Sequence, residues 1–239
     1  MDIDLSKGFY NNLDTNFEQA LEMSNKEFTH KELVSLLQDG NIPQKQIAAL
    51  NFDYVKTTDD AKILLSNLTG CDGKIREAVA LRINQILNTS EETITIFSPI
   101  AAEKIADASI DINANICRLA VDSAIILKQD KIFAQKYVSK ILVFTNQALA
   151  ELDKFIFRDK KYVINKQLFK LYWCLEGIKY FQEFIDEKEL EKILTICSEQ
   201  KEYTIREKAA QIVATSNKFP YLKNKFVNDE NYYVREAIN

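Results

Sequence analysis

The sequence contains few residues that interrupt helices. Its 239 residues include only five glycines and three prolines. All-β proteins need glycine in their tight turns, and nucleotide-binding α/β proteins need it in their phosphate loops. No G-x-x-x-x-G-K-[ST] or G-x-G-x-x-G phrase occurs in the chain. This scarcity predicts an all-α protein and excludes a glycine-rich phosphate-binding loop.

Residues that carry catalysis or bind metals are also scarce. The one histidine, His30, is expected at a helix start as a solvated surface residue, and the chain has no His-Glu pair. The four cysteines are far apart and form no C-x-x-C motif, so we expect reduced thiols that are mostly buried, at Cys71, Cys117, Cys174 and Cys197. Nothing in this inventory builds a nucleophile, a base and an orienting group. We therefore predict a protein that is not an enzyme and needs no cofactor or metal.

No apolar run is long enough to cross a membrane. The chain begins Met1-Asp2-Ile3-Asp4, which lacks the basic start and apolar core of a secretory signal. We therefore expect a cytoplasmic protein without membrane association.

The charge balance is slightly acidic and unevenly distributed. The formal net charge is −4, which disfavours nucleic acid as the main partner because a phosphate-binding surface needs an excess of cations. Residues 1–40 carry eight acids against three lysines, whereas residues 152–180 carry seven basic residues against three acids. The second segment could still bind an anionic partner.

A short phrase recurs along the chain. Ile75-Arg76-Glu77-Ala78 returns as Ile205-Arg206-Glu207-Lys208-Ala209 and as Val234-Arg235-Glu236-Ala237. Aligning the chain on this arginine defines a slot with spacings of two-helix repeats, and the slot residues are Lys45, Arg76, Cys117, Asn165, Arg206 and Arg235. Recurrence of this kind predicts stacked helical repeats.

A second position recurs six residues before the slot. Aspartate occupies it in four of six places, Asp39, Asp111, Asp159 and Asp229, while Gly70 and Gln200 occupy the others. An aspartate in a turn before a helix accepts hydrogen bonds from unpaired N–H groups. We therefore expect these aspartates to cap the slot helices.

Helical periodicity predicts a single domain over residues 1–239. An N-terminal cap helix is expected within residues 1–26, followed by repeats over 27–239, of which the last is either truncated or completed by another surface. The slot helices are predicted over 43–55, 73–88, 113–128, 161–181, 203–216 and 231 to the end. Their partner helices are predicted over 27–38, 58–68, 92–108, 131–155, 186–199 and 220–227.

The pattern of aspartate, turn, β-branched residue, arginine and alanine resembles HEAT repeats, within the HEAT and armadillo class of α-solenoids. The resemblance covers the chain after about residue 28 and implies an α-α superhelix of about five helical hairpins. In that class the aspartates and arginines form a ladder between repeats. Asp229 with Arg235 matches both ends of the pattern and Asp39 with Lys45 matches it conservatively, whereas Arg76 and Arg206 match only the arginine end. Cys117 and Asn165 depart from it, so the ladder is in doubt for the central repeats.

Basic and aromatic residues alternate between Lys154 and Tyr180. This pattern is typical of a surface that binds an acidic peptide or single-stranded nucleic acid, and equally of an amphipathic helix with its lysines in solvent. The candidate partner-binding residues are Phe155, Phe157, Arg158, Lys160, Lys161, Lys166 and Lys170. Trp173, the one tryptophan, lies in a run apolar enough to be buried.

The resemblance implies a scaffold or adaptor that binds another protein or peptide on the concave face of the repeats and performs no chemistry. Two alternatives exist on the same scaffold. One is a HEAT-like nucleic-acid-binding protein or DNA glycosylase-type enzyme. The enzyme requires a carboxylate to converge with aromatic and basic side chains in a concave pocket. The binding protein instead requires the basic residues of 152–180 to lie on one face with Lys201, Arg206, Lys218, Lys223 and Lys225. The other is a HEAT-like bilin lyase-type protein, for which the sequence carries no motif.

Overall fold

The computed structural model describes residues 18, 21–156, 161–216 and 218–239, with side chains for all of these except 153–156 and 161–164. Twelve α-helices and one 3-10 helix account for nearly all of the described residues, and these contain no strand. The α-helices, α1 to α12 in chain order, are His30–Asp39, Ile42–Leu50, Thr58–Leu68, Gly73–Leu87, Glu91–Ala108, Ala114–Leu127, Lys131–Ile156, Lys161–Phe181, Glu187–Ser198, Tyr203–Ser216, Pro220–Val227 and Tyr232–Ile238. The 3-10 helix is Gln182–Phe184.

The all-α class predicted from the scarcity of glycine and proline is confirmed. Eleven helices begin and end within three residues of the predicted bounds, and the count exceeds that of five hairpins. The exception is α2, which ends at Leu50 rather than at residue 55. There the chain leaves the helix so that Phe52 and Val55 can be buried. The predicted N-terminal cap helix lies mostly outside the described residues, of which 18 and 21–24 are helical.

The first three helices share a local reason for starting where they do. Thr29 caps α1 with Glu32 as its reciprocal partner, and Asn41 with Gln44 and Thr57 with Asp60 do the same for α2 and α3. Each box satisfies N–H groups that the first helical turn leaves without a carbonyl. These boundaries are therefore encoded by short segments of sequence.

The chain divides into two compact units, residues 1–100 and 101–239. In the first unit, α1 packs on α2 and α3 on α4, while α1 also contacts α3 and α2 contacts α4. In the second unit, α7 packs on α8, α9 on α10 and α11 on α12, and the helices α6, α8, α10 and α12 contact one another in succession. Within each unit, helices of a pair and like helices of successive pairs are therefore neighbours.

The core of the second unit packs large aromatic side chains against small residues. The hydroxyl of Tyr137 on α7 lies 3.0 Å from Ser109 Oγ, and both side chains are buried. A Cβ atom at Gly177 on α8 would lie 3.0 Å from the same hydroxyl. Glycine at position 177 therefore leaves room for the Tyr137 hydroxyl where α8 packs on α7.

Candidate functional site

The slot residues make one contact repeatedly. At four of the slot positions, the side chain donates a hydrogen bond to the main-chain carbonyl of the residue six positions earlier. The donors and acceptors are Arg76 to Gly70 at 3.0 Å, Cys117 to Asp111 at 3.0 Å, Arg206 to Gln200 at 2.9 Å, and Arg235 to Asp229 at 2.6 Å. The slot therefore closes the turn that precedes its helix.

Arg206 also links two successive helical pairs. Its Nε and Nη2 atoms donate to the two carboxylate oxygens of Asp229 at 2.8 and 3.0 Å, and Glu230 lies 3.4 Å from Nη2. The side chains of Arg206 and Asp229 are only 8% and 10% exposed. Burial would raise the pKa of Asp229, but hydrogen bonds from Arg206 and from the N–H of Asn231, together with the guanidinium charge, outweigh it and lower that pKa. This bond joins the turn before α12 to α10.

The predicted capping role of the aspartates six residues before the slot is wrong for α2, α6 and α12. The N-caps of these helices are Asn41, Asn113 and Asn231, two residues after the aspartates. Asp111 and Asp229 instead accept from the N–H two residues on. Asparagine four residues before the slot was the signal in the sequence that identifies these caps. Asp159 lies outside the described residues.

A cleft of about 420 Å³ opens in the second unit beside α8 and α10. We call it the aromatic cleft, and its lining consists of Ala114, Asn165, Leu168, Phe169, Tyr172, Trp173, Glu202 and Thr204. The volume lies within the usual range for ligand sites, which bind through a mainly apolar wall and a few polar groups. Five of the eight side chains come from one face of α8, and Glu202 and Thr204 lie at the start of α10.

Three aromatic rings form the wall of the cleft on α8. The Trp173 ring meets Phe169 at 67° with centroids 6.4 Å apart and meets Tyr172 at 83° with centroids 5.4 Å apart. Phe169 is 36% exposed, which is high for a phenylalanine in a packed helix. The buried Trp173 Nε1 has no hydrogen-bond partner within the described part of the chain. The run around Trp173, which is apolar enough to form a buried helix, is buried only on one side: Leu171, Cys174 and Leu175 are buried, whereas Phe169, Tyr172 and Trp173 line a surface cleft.

An ion pair lies behind the cleft. Lys208 on α10 hydrogen-bonds Glu176 on α8, and both side chains are largely buried. Lys208 Nζ also lies 4.7 Å from the centroid of the Tyr172 ring. Burial would lower the pKa of Lys208, but the bond to Glu176 and its charge outweigh that effect and raise it. Lys208 thus stays charged and is neutralised by its own partner.

Exposed tyrosines continue from the cleft onto α12. Tyr203, between the two cleft residues Glu202 and Thr204, stacks on Tyr233 with ring centroids 6.0 Å apart. Tyr233 in turn meets Tyr232 edge to face at 5.6 Å. Tyr232 and Tyr233 are 58% and 59% exposed. Adjacent exposed aromatic side chains are characteristic of protein-binding surfaces.

The structure brings only part of the predicted basic and aromatic stretch near the cleft. Lys166 is exposed on α8, whereas Lys170 lies 4.7 Å from the Phe144 ring and 3.4 Å from Gln147, both on α7. Burial, and to a lesser extent the charge of Lys166, lowers the pKa of Lys170. Phe157, Arg158 and Lys160 lie outside the described residues, as do the side chains of Phe155 and Lys161.

His30 is not the solvated surface residue that the sequence suggested. Its ring stacks on Tyr54 at 4.9 Å and lies 5.0 Å from Phe52, and its Nε2 is 3.2 Å from a carboxylate oxygen of Asp60. Burial would raise the pKa of Asp60, but the N–H of Lys56, the His30 side chain and the N–H of Thr57 together lower it. Through this contact the start of α1 packs against α3. It is a packing contact that the chain forms by bringing together residues thirty positions apart.

The four cysteines are free thiols, and three of them are buried as predicted. Cys71 is exposed and lines a second cavity of about 510 Å³ in the first unit, with Asn41, Ile42 and Asp72 among its neighbours. Within the described ranges, no group of histidine, cysteine and acidic residues is arranged to hold a metal ion. No described helix combines the length and apolar character needed to span a bilayer.

Comparison with known proteins gives structural likeness only. No family model matches the sequence, and no curated protein matches it. Two crystal structures of engineered proteins are similar to the chain, each with a TM-score of 0.46. One is 13% identical over 89% of this chain and 94% of its own, and the other is 14% identical over 89% of this chain and 96% of its own. Likeness at this level carries no statement about function.

Proposed function

We propose that this chain is a helical-repeat protein of the HEAT-like class that binds a segment of another protein in the aromatic cleft and acts as a scaffold or adaptor. The repeated slot contact and the packing of like helices within each unit support the repeat class. The cleft and its neighbouring tyrosines support the binding role.

The observation that carries the proposal is the exposure of Phe169 beside Trp173. A phenylalanine that is 36% exposed keeps apolar area in water, and covering that area on binding contributes about 25 cal/mol per Å². Aromatic side chains in small pockets are also the residues that dominate binding energy at protein interfaces. The cleft is thus a preformed place for one anchoring side chain, and Tyr203 and Tyr233 extend the contact surface along the partner.

The test is selection of short peptides from a displayed library on the immobilised protein. We expect recovered peptides to bind the wild type and to lose at least tenfold in affinity on Phe169→Ser. Ile132→Ser is the matched control because Ile132 is 63% exposed on α7 of the same unit and does not line the cleft. Emission from Trp173, the one tryptophan of the chain, reports occupancy directly.

Two outcomes would contradict the proposal. Peptides that bind both variants equally would place the binding surface elsewhere, and the absence of any selected peptide that perturbs Trp173 emission would remove the cleft as a peptide site. Thermal unfolding of both variants shows whether Phe169→Ser has damaged the fold.

One observation supports the alternative function, a DNA glycosylase-type enzyme. The Glu202 carboxylate converges with Phe169, Tyr172 and Trp173, which would supply the carboxylate and the aromatic groups of a DNA glycosylase-type site. Two nearby lysines are less suited to contacting DNA, since Lys208 is paired with Glu176 and Lys170 lies against α7. Incubation with duplex DNA that carries alkylated purines tests the alternative. Release of the base by the wild type and not by Glu202→Gln would replace the scaffold proposal.

A further inference from the structure

We infer that the anchor taken by the aromatic cleft is a cationic side chain, a lysine or an N-methylated lysine of the partner protein. This inference rests on the proposed function and adds the chemistry of the occupant. It follows from three properties of the lining and its surroundings: the orientations of the rings, the charge of Glu202, and the pairing of two neighbouring cations, Lys208 and Arg206, with Glu176 and Asp229.

The three aromatic rings of the cleft meet at steep angles and are not stacked in parallel. The plane of the Trp173 ring is inclined at 67° to that of Phe169 and at 83° to that of Tyr172, so the three rings that line the cleft have different orientations. Aromatic faces carry negative electrostatic potential, so a cation set among them is attracted, most strongly by tryptophan. A neutral apolar side chain would gain only the burial of area.

The protein itself already places an ammonium group on one of these rings. Lys208 Nζ lies 4.7 Å from the Tyr172 centroid, and its charge is balanced by Glu176. This internal pair shows that the ring environment accommodates an ammonium group. It also leaves the other rings, Phe169 and Trp173, as the surfaces for an external cation.

Glu202 is the one charged residue among the described residues that line the cleft. The neighbouring guanidinium of Arg206 is directed to Asp229, with hydrogen bonds of 2.8 and 3.0 Å. The Glu202 carboxylate accepts a long and weak hydrogen bond from the hydroxyl of Thr204 at 3.4 Å, and its charge also acts on Arg206, which donates its hydrogen bonds elsewhere. Glu202 therefore gives the lining a negative charge that a bound cation complements, whereas an anionic side chain would meet both this carboxylate and the ring faces.

The experiment compares four peptides that differ at one residue. The residue is trimethyllysine, lysine, norleucine, or the uncharged analogue of trimethyllysine in which carbon replaces the quaternary nitrogen. Binding is followed through Trp173 emission at low salt. We expect the trimethyllysine peptide to bind about tenfold more tightly than its carbon analogue, which has the same shape and no charge.

Variants assign the preference to the cleft. Glu202→Gln keeps the size of the side chain and should remove most of the preference for charge, and raising the salt concentration should weaken the wild-type preference because Glu202 is partly exposed. Phe169→Leu keeps an apolar side chain but removes the aromatic ring, so this variant should also show a smaller preference for the charged peptide. Glu236→Gln, an exposed carboxylate on α12, is the matched control and should leave it unchanged.

The results separate this inference from the proposed function. Equal affinity for the trimethyllysine peptide and its carbon analogue would overturn the inference while leaving the cleft as a site for apolar anchors. Failure of all four peptides, with library peptides that still depend on Phe169, would overturn the inference alone. Failure of all four together with the absence of any Phe169-dependent library peptide would overturn both.

Discussion

The turns that precede α6 and α10 are closed by different side chains. At Cys117 a thiol donates to the carbonyl of Asp111, and at Arg206 a guanidinium donates to the equivalent carbonyl of Gln200. Cys117 is fully buried, and burial, with the charge of Asp111, raises its pKa to about 12. The thiol therefore keeps its proton and can act as the donor.

The two turns differ in what lies beyond them. Arg206 has further N–H donors, and its Nε and Nη2 atoms donate to Asp229 of the next turn. Cys117 has a single donor, so it closes its own turn and makes no second bond. Closing the turn thus requires only one donor in the slot, whereas the hydrogen bonds to the following turn at Arg206 depend on an arginine and a carboxylate. A cysteine in the slot therefore retains the hydrogen bond that closes the turn but lacks the hydrogen bonds to the next turn.

The largest effect is expected on removing Arg206. Arg206→Met deletes the turn contacts and leaves the buried Asp229 carboxylate without its cation, so we expect the free energy of unfolding to fall by about 3–5 kcal/mol. Chemical denaturation measures it. The double variant with Asp229→Asn should recover part of the loss because no buried charge remains unpaired. A loss below about 1 kcal/mol in the single variant would show that the buried pair does not stabilise the unit.

A smaller effect is expected on removing only the charge of Asp229. Asp229→Asn should cost about 2 kcal/mol at neutral pH, since Arg206 and the turn keep their other bonds. The folded-state pKa of Asp229 lies below its ordinary value of 3.8, so its stabilisation is complete above about pH 4 and is lost as the pH falls through the folded value. As the pH is lowered, the wild type should lose the contribution of the Asp229 carboxylate to its free energy of unfolding, and the Asp229→Asn variant should show no such loss. Parallel pH curves for the two proteins would contradict the pairing.

The smallest effect is expected at Cys117. Cys117→Ala removes one weak donor and one buried sulfur, and it should cost about 1–2 kcal/mol. Cys117→Ser restores a donor and should be at least as stable as the alanine variant if turn closure is the role of the slot. A serine variant less stable than alanine would indicate that only the volume of the thiol matters.

Thiol labelling offers an independent check on the cysteines. In the native protein a thiol reagent should modify Cys71 alone, and it should modify all four cysteines after denaturation, because Cys117, Cys174 and Cys197 are buried.

The helices were predictable because their signals are local. Apolar spacing, capping residues and the scarcity of glycine and proline act within a few residues of chain, and eleven helices follow the predicted bounds closely. The recurrence of the slot was also visible in the sequence, although Cys117 looked like a departure from the pattern. Side-chain identity alone predicts a break at this position, whereas the turn needs only a donor at the right distance.

The cleft was less predictable. The interleaved basic and aromatic residues between Lys154 and Tyr180 predict one binding surface, which includes Phe169, Tyr172 and Trp173. In the structure Lys170 packs against α7, while Glu202, which no motif marked, joins the aromatic rings. No local pattern brings residue 202 next to residue 169, since their approach depends on how α8 packs on α10.

The sequence by itself determined the all-α class, the positions of the helices and the recurrence of their turns, because hydrophobic period and capping chemistry operate within a single helix and its flanks. Only the tertiary structure decided that Arg206 binds Asp229, that His30 lies against Asp60, and that a carboxylate meets three aromatic rings in one cleft. These contacts join residues about 20 to 35 positions apart. Their geometry is set by the packing of whole helices on one another.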